Sequence, residues 1–221
     1  AGLIMYYIIG TPINWVASQI TGYLGGLDRS QLLFYGAIIG ILSSIDYGGA
    51  INKVVFAFVF TLFSEQIYEP ITVLILASMV TPFGLTMAYF IGKVIGKNIF
   101  NKQEVETLKT AFPMGVCQIT EGCFPIVLND LFKNVIATGV GGAVGGALSM
   151  LWGADSHIPA SGMFAVFTMT RPWAFIGALL LGSLATAITI LILRPQVDPE
   201  AEVVIQDVEE DELSWDDLKI S

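Results

Sequence analysis

Charge is what this sequence has least of. Asp, Glu, Lys and Arg make up 13% of its 221 residues and hydrophobic residues 54%, with a mean hydropathy of +0.72, whereas soluble domains carry roughly 25% charged residues. That balance argues against a water-soluble single domain. Histidine occurs once, as His157, and no second His or Cys stands at metal-ligand spacing from it, so no metal site is expected. The two cysteines, Cys117 and Cys123, have five residues between them, which is neither a CxxC redox pair nor a zinc pattern. They are read as small apolar packing residues. No Walker A string and no GxSxG occurs, and residues 1–194 balance nine basic against nine acidic side chains. A self-contained ATPase or hydrolase, a cofactor and a nucleic-acid partner are therefore not expected.

The formal charge of -9 is confined to one end. Ten of the nineteen Asp and Glu residues follow Pro195, from Asp198 to Asp217, with Lys219 alone opposing them. The chain thus divides into a neutral apolar body, 1–194, and an acidic tail, 195–221, read as a disordered cytoplasmic segment. It opens on Ala1 without an initiator Met, a charged n-region or a small-residue cleavage site, which is read as a piece of a longer chain.

A bilayer core of about 30 Å takes about 20 apolar residues in a helix. Gly2–Leu24, Ile71–Ile95, Val135–Trp152 and Trp173–Leu193 meet that length, and Leu32–Phe63 exceeds it but is broken by the polar string IDYGGAINK, Ile45 to Lys53. Period-2 alternation is missing from these segments, so the fold class is an all-α membrane protein, a multi-span bundle with broken helices. Lys93, Lys97, Lys102 and Lys109 cluster after the Ile71–Ile95 span, partly offset by Glu104 and Glu106, which points that connector to the cytoplasm. Within it, Val105, Leu108 and Phe112 recur at helical spacing and predict a short interfacial helix over Asn101–Phe112. In GVGGAVGGA, Gly141 with Gly145 and Gly142 with Gly146 stand at GxxxG spacing, which lets helix backbones approach closely in lipid.

Two strings carry the candidate chemistry. In GVCQITEGCFPIVLNDLFKN, Glu121 and Asp130 lie among apolar residues, with Pro113 and Pro125 interrupting helix formation. An ionisable group in such a setting is costly and marks a polar cavity, so a re-entrant hairpin with its tip near Glu121 is expected; the bland reading is a solvated loop. In IDYGGAINK, Asp46, Asn52 and Lys53 interrupt an apolar run and Gly48 and Gly49 let the helix unwind; a helix restarting after them presents free N–H groups to a polar ligand, or Asp46 and Lys53 pair with each other as packing. His157, in WGADSHIPASGMF, is open to two readings, a polar filler or a substrate contact.

Together with GLIMYYIIGTPI and GGALSMLWG, these strings resemble the membrane-embedded IIC component of the bacterial phosphoenolpyruvate-dependent sugar phosphotransferase system, fructose subfamily. There the corresponding strings read approximately FDMGGPxNKAAYAF and GITEGAIPFAxxDP, and the resemblance runs from Gly2 to Arg194. It implies that earlier membrane helices of the domain precede this chain. It implies, too, a multi-pass protein of the bacterial inner membrane, a homodimer, with IIA and IIB components as partners and a sugar as substrate, the phosphoryl donor being a phosphocysteine on IIB and not Cys117 or Cys123. By the same resemblance Glu121 is the sugar-binding carboxylate, with Thr120 and Asn129 in its string and Asp46, Asn52 and Lys53 in the second. Glu121 or His157 would orient the attacking hydroxyl or accept its proton. Two departures stand near that site: IPASG replaces the family's APHGG, putting Ala160 at its histidine, and Leu131 replaces the proline after ND. They leave a mannosyl-glycerate carrier of the same family open. An ion-coupled transporter using Glu121 and Asp130 and a purely structural subunit remain as readings from other classes.

Overall fold

The computed structural model describes residues 28–197; the Gly2–Leu24 span and residues 198–221 of the acidic tail lie outside them. Among the described residues all regular structure is helical. In chain order the helices are α1 (Arg29–Ser44), α2 (Ala50–Ser64), α3 (Glu69–Ile95), α4 (Lys102–Val116), α5 (Phe124–Asn129), α6 (Leu131–Trp152) and α7 (Pro172–Leu193), with single 3-10 segments at Glu121–Cys123 and Gly162–Thr168. Three of these, α3, α6 and α7, are long and apolar enough to cross a membrane. The stretch Leu32–Phe63 is broken where IDYGGAINK stands, so α1 and α2 are two shorter apolar helices.

Helix ends follow local chemistry. Pro70 and Pro172 sit in the first turns of α3 and α7, where a missing N–H costs nothing. Gly96 and Gly153 end α3 and α6 in the left-handed region, at φ of 76° and 64°, the conformation that closes a helix C-terminus. At the start of α4 the Glu104 N–H donates to Asn101 Oδ1 (2.8 Å) and the Asn101 N–H donates to Glu104 Oε2 (3.0 Å), a reciprocal capping box. The helix expected over Asn101–Phe112 runs on to Val116, and buries Leu108, Ala111 and Gly115 against its neighbours. The α6 helix begins at Leu131, four residues before the apolar run at Val135 suggested. Asn134 makes the earlier start possible: its side-chain amide donates to the carbonyls of Asp130 (2.9 Å) and Ile126 (3.1 Å), stitching α5 to α6.

Glycine determines how α6 sits. On one face Gly142 and Gly146 meet Gly40 and Gly36 of α1, and a Cβ at any of the four would run into the opposing backbone carbonyl. On a second face Gly141 and Gly145 meet Gly182 of α7 in the same way. Both GxxxG pairs are thus used, one for each neighbour, and the backbones of α1, α6 and α7 approach closely, with the small side chains of Ser44 and Thr186 packed against Gly142 and Gly141. The α3 helix is buried almost continuously from Pro70 to Leu85 and runs through the middle of this framework. The hydrophobic clusters around Ile75, Met79 and Phe175 and around Leu85, Ile126 and Ile190 lie along it.

Adding side-chain volume between these backbones forces the helices apart, a change that costs about 1–3 kcal/mol in well-packed cores. Gly142→Val is expected to lower the thermal unfolding temperature in detergent, whereas Val140→Ala, on the exposed face of the same helix, leaves it nearly unchanged.

Candidate functional site

The two polar strings meet. Gly48, Asn52 and Lys53 from the first, Gln118, Thr120 and Glu121 from the second, Phe56 of α2, and Leu74 and Ser78 of α3 line one open cavity of about 180 Å³. That is room for roughly six waters at about 30 Å³ each.

On the first side, the loop between α1 and α2 is held by its own side chains. Tyr47 is buried with a φ of 46°, and its hydroxyl shares a hydrogen bond with Thr138 of α6 at 2.8 Å. Gly48 follows at φ 94°, a region a side chain rarely adopts, and a Cβ there would stand 2.8 Å from Glu121 Oε1. The glycine therefore lets the carboxylate reach the loop. Asp46 accepts hydrogen bonds from the N–H groups of Ile51 (2.6 Å) and Asn52 (3.4 Å) through Oδ2, so its charge caps the start of α2. It does not pair with Lys53 and does not line the cavity.

On the second side, α4 descends and α5 returns, with the turn at Cys117–Thr120 and Glu121 opening the 3-10 segment. This is the helical hairpin expected from the sequence, tip included. Its docking rests on Pro82 inside α3. A proline has no N–H, so the carbonyl four residues earlier, that of Ser78, loses its helical donor. Thr120 Oγ1 donates to this carbonyl at 3.0 Å, while Gly115 packs against the Pro82 ring, where a Cβ would collide with it. Gln118, at φ 66°, accepts through Oε1 from the N–H groups of both Ser161 and Gly162 (3.1 Å each), which ties the IPASG loop to the tip. Cys123 is buried as expected, but Cys117 is exposed, because the turn faces outward there. Among the described residues the side chains of Glu121 and Lys53 have no hydrogen-bond or ion-pair partner.

His157 and Asn129 are placed elsewhere. His157 packs edge-on against Tyr68, 4.4 Å between ring centroids, with Nε2 3.7 Å from Asp155, and does not line the cavity. Asn129 donates through Nδ2 to Glu104 Oε1 (3.2 Å) and borders a second cleft with Asn101, Asp130 and Arg194. Asp130 pairs with Lys133 at 2.7 Å, apart from Glu121.

The same cleft holds an interaction that sequence reasoning missed. Glu104, read there as a surface charge offsetting lysines, is 4% exposed and bonds Arg194 at 3.0 Å, itself 4% exposed. The guanidinium also donates to the carbonyls of Ile99 (3.3 Å) and Ile126 (3.0 Å). It joins the end of α7 to both arms of the hairpin. Nothing in the sequence paired Glu104 with a residue ninety positions away. Phe56, Ser78 and Gln118 were also missed, and each reads locally as an ordinary helix or turn residue.

The chain is 32% identical over 199 residues to the fructose-specific EIIB'BC component of the phosphotransferase system from Haemophilus influenzae, covering 90% of this chain and 35% of that protein. It is 32% identical over 196 residues to the fructose-specific EIIC component from Haloferax volcanii, covering 88% of this chain and 51% of that protein. This chain is a relative of the fructose-type IIC membrane components. The 2-O-alpha-mannosyl-D-glycerate-specific EIIABC component of Escherichia coli is 29% identical over 206 residues, 89% of this chain and 31% of that protein. The chain spans about a third to a half of the length of these curated relatives. No family profile matches it, and no solved structure does.

The two departures from the fructose-type IIC strings acquire places. Leu131 is the first residue of α6, a position where proline is also favoured, so that exchange leaves the helix start intact. Ala160 precedes the two N–H groups that Gln118 holds.

Breaking a buried ion pair by removing one partner costs about 3–5 kcal/mol. Arg194→Ala is expected to lower the unfolding temperature in detergent well below that of the wild type, and Glu106→Ala, from an exposed pair, to leave it within error. Thr120→Val leaves the Ser78 carbonyl without its donor, a loss of about 1–3 kcal/mol. It is expected to open the tip and raise labelling of Cys123, buried in the wild type, by a cysteine-reactive probe in a Cys117→Ser background.

Proposed function

We propose that this chain is the sugar-translocating part of a phosphoenolpyruvate-dependent phosphotransferase permease, binding fructose or a fructose-like sugar and presenting it to a phosphorylated IIB component. The observation that carries the reading is the convergence of IDYGGAINK and ITEG on one cavity where the Glu121 carboxylate is left unpartnered. An ionised carboxylate accepts two sugar hydroxyls, each charge-assisted bond contributing about 1.5–3 kcal/mol. Thr120 and Asp46 serve that site indirectly, one docking the tip and the other capping α2; Asn52 and Lys53 share the cavity wall. The phosphorylated product is anionic and unsuited to an apolar return path, which makes uptake one-way. The reading places the chain as a multi-pass protein of a bacterial inner membrane, a homodimer working with IIA and IIB.

A second sugar is supported by a specific relative: the mannosyl-glycerate component is nearly as similar as the fructose components. Ion coupling through a Glu121 and Asp130 pair finds no support in the placement of Asp130 beside Lys133.

Uptake of radiolabelled fructose and of mannosyl-glycerate into vesicles carrying the full-length transporter tests the proposal. One of the two is expected to accumulate as its phosphate only when phosphorylated IIB is supplied. Glu121→Gln is expected to weaken binding of that sugar by about tenfold or more, within the range of one charge-assisted bond. Accumulation of free sugar driven by a proton gradient without IIB would overturn the reading.

A further inference from the structure

The first wall of the cavity carries an unpaired charge. Lys53 lies one turn into α2, with Asn52 beside it and Phe56 a turn beyond, and all three border the space that Glu121 faces. The bland account of this lysine is neutralisation by Asp46, seven residues earlier. The geometry removes it, because Asp46 spends its carboxylate on the Ile51 and Asn52 N–H groups. Glu121 does not neutralise it either: among the described residues neither side chain has an ion-pair partner. Lys53 and Glu121 are both exposed on the walls of one open cavity, and an unpaired ammonium with an unpaired carboxylate there suits a ligand with two different ends.

We infer that Lys53 is a catalytic residue that holds the oxygens of the phosphoryl group as it moves from the IIB phosphocysteine to the sugar, while Glu121 holds the hydroxyl side. The assignment rests on the proposed phosphotransferase reading and adds to it a division of labour. In the step, a sugar hydroxyl oxygen attacks phosphorus of the IIB phosphocysteine. The O–P bond forms as the P–S bond breaks, the electron pair leaves with sulfur as the thiolate, and the hydroxyl proton passes to the Glu121 carboxylate and from there to water. A phosphate monoester carries a charge of about -1.5 to -2 near neutrality. The incoming group thus brings an anion into a cavity that holds one carboxylate, and the ammonium offsets it. Because α2 is capped by Asp46, the helix N-terminus is already occupied by a negative group, and Lys53 is the cation left for the phosphate. A sugar without phosphate gains little from Lys53; its phosphate gains much.

The test compares the full-length transporter with Lys53→Gln and Lys53→Arg, using equilibrium binding of fructose, fructose 1-phosphate and fructose 6-phosphate, and single-turnover phosphoryl transfer from phosphorylated IIB. Lys53→Gln is expected to weaken whichever sugar phosphate the wild type binds by about tenfold to a hundredfold, with a change of less than about threefold for fructose. Phosphoryl transfer is expected to slow about a hundredfold to a thousandfold, the size of effect seen when one group stabilising transition-state charge is removed. Lys53→Arg, which keeps the charge, is expected to recover much of both. Equal weakening of fructose and its phosphates in Lys53→Gln would overturn the assignment and return Lys53 to ordinary sugar binding or structure, as would undiminished transfer. A wild type that binds fructose but takes no phosphoryl group from IIB would instead overturn the phosphotransferase reading, and this assignment with it.

Discussion

A missing amide organises the functional end of this protein. Pro82 cannot donate to the Ser78 carbonyl, and an unpaired carbonyl inside an apolar bundle is costly. The hairpin tip satisfies it with the Thr120 hydroxyl, while Gly115 accepts the proline ring against its backbone. Glu121 follows Thr120 directly, so the position of the carboxylate is set by a defect in the neighbouring helix. Without that defect α3 would present a closed hydrogen-bond ladder and a face of side chains, and the tip would have nothing polar to hold.

Around this point the structure uses two different kinds of fastening. Close to the cavity the contacts are one or two hydrogen bonds at side chains on unusual backbone angles, Tyr47 and Gln118 among them. Farther away they are extensive: the glycine-to-glycine backbone contacts of α6 with α1 and α7, and the buried Arg194–Glu104 pair that joins α7 to both hairpin arms. Glycine contacts of this kind depend on shape and tolerate little added volume. The ion pair has the opposite character, since its stability depends on every lone pair and N–H nearby being matched. Asn101, Asn129 and the Ile99 and Ile126 carbonyls supply most of that matching.

Much of this was legible in the sequence because it depends on local or periodic properties. Apolar length marked α3, α6 and α7, and Gly48 and Gly49 marked the break between α1 and α2. GxxxG spacing marked the faces of α6, although spacing alone does not say that the two pairs serve different partners. Glu121 stood out because its surroundings are apolar. What could not be read were meetings across the chain. Thr120 with the Ser78 carbonyl, Gln118 with the IPASG loop and Glu104 with Arg194 each join residues at least forty positions apart, and none leaves a local trace. His157 and Asn129 illustrate the reverse error: both are polar residues near the right strings, yet each is turned to another partner, His157 to Tyr68 and Asn129 to Glu104.

The bond from Gln118 to Ser161 and Gly162 has a consequence for how such a protein diverges. One amide oxygen takes two successive N–H groups, so the IPASG loop is tied to the hairpin tip, and Ala160 stands directly before that tie, on the segment held to the one that carries Glu121. On the proposed sugar-binding reading, preference can change through a loop outside the cavity wall while the wall residues stay as they are.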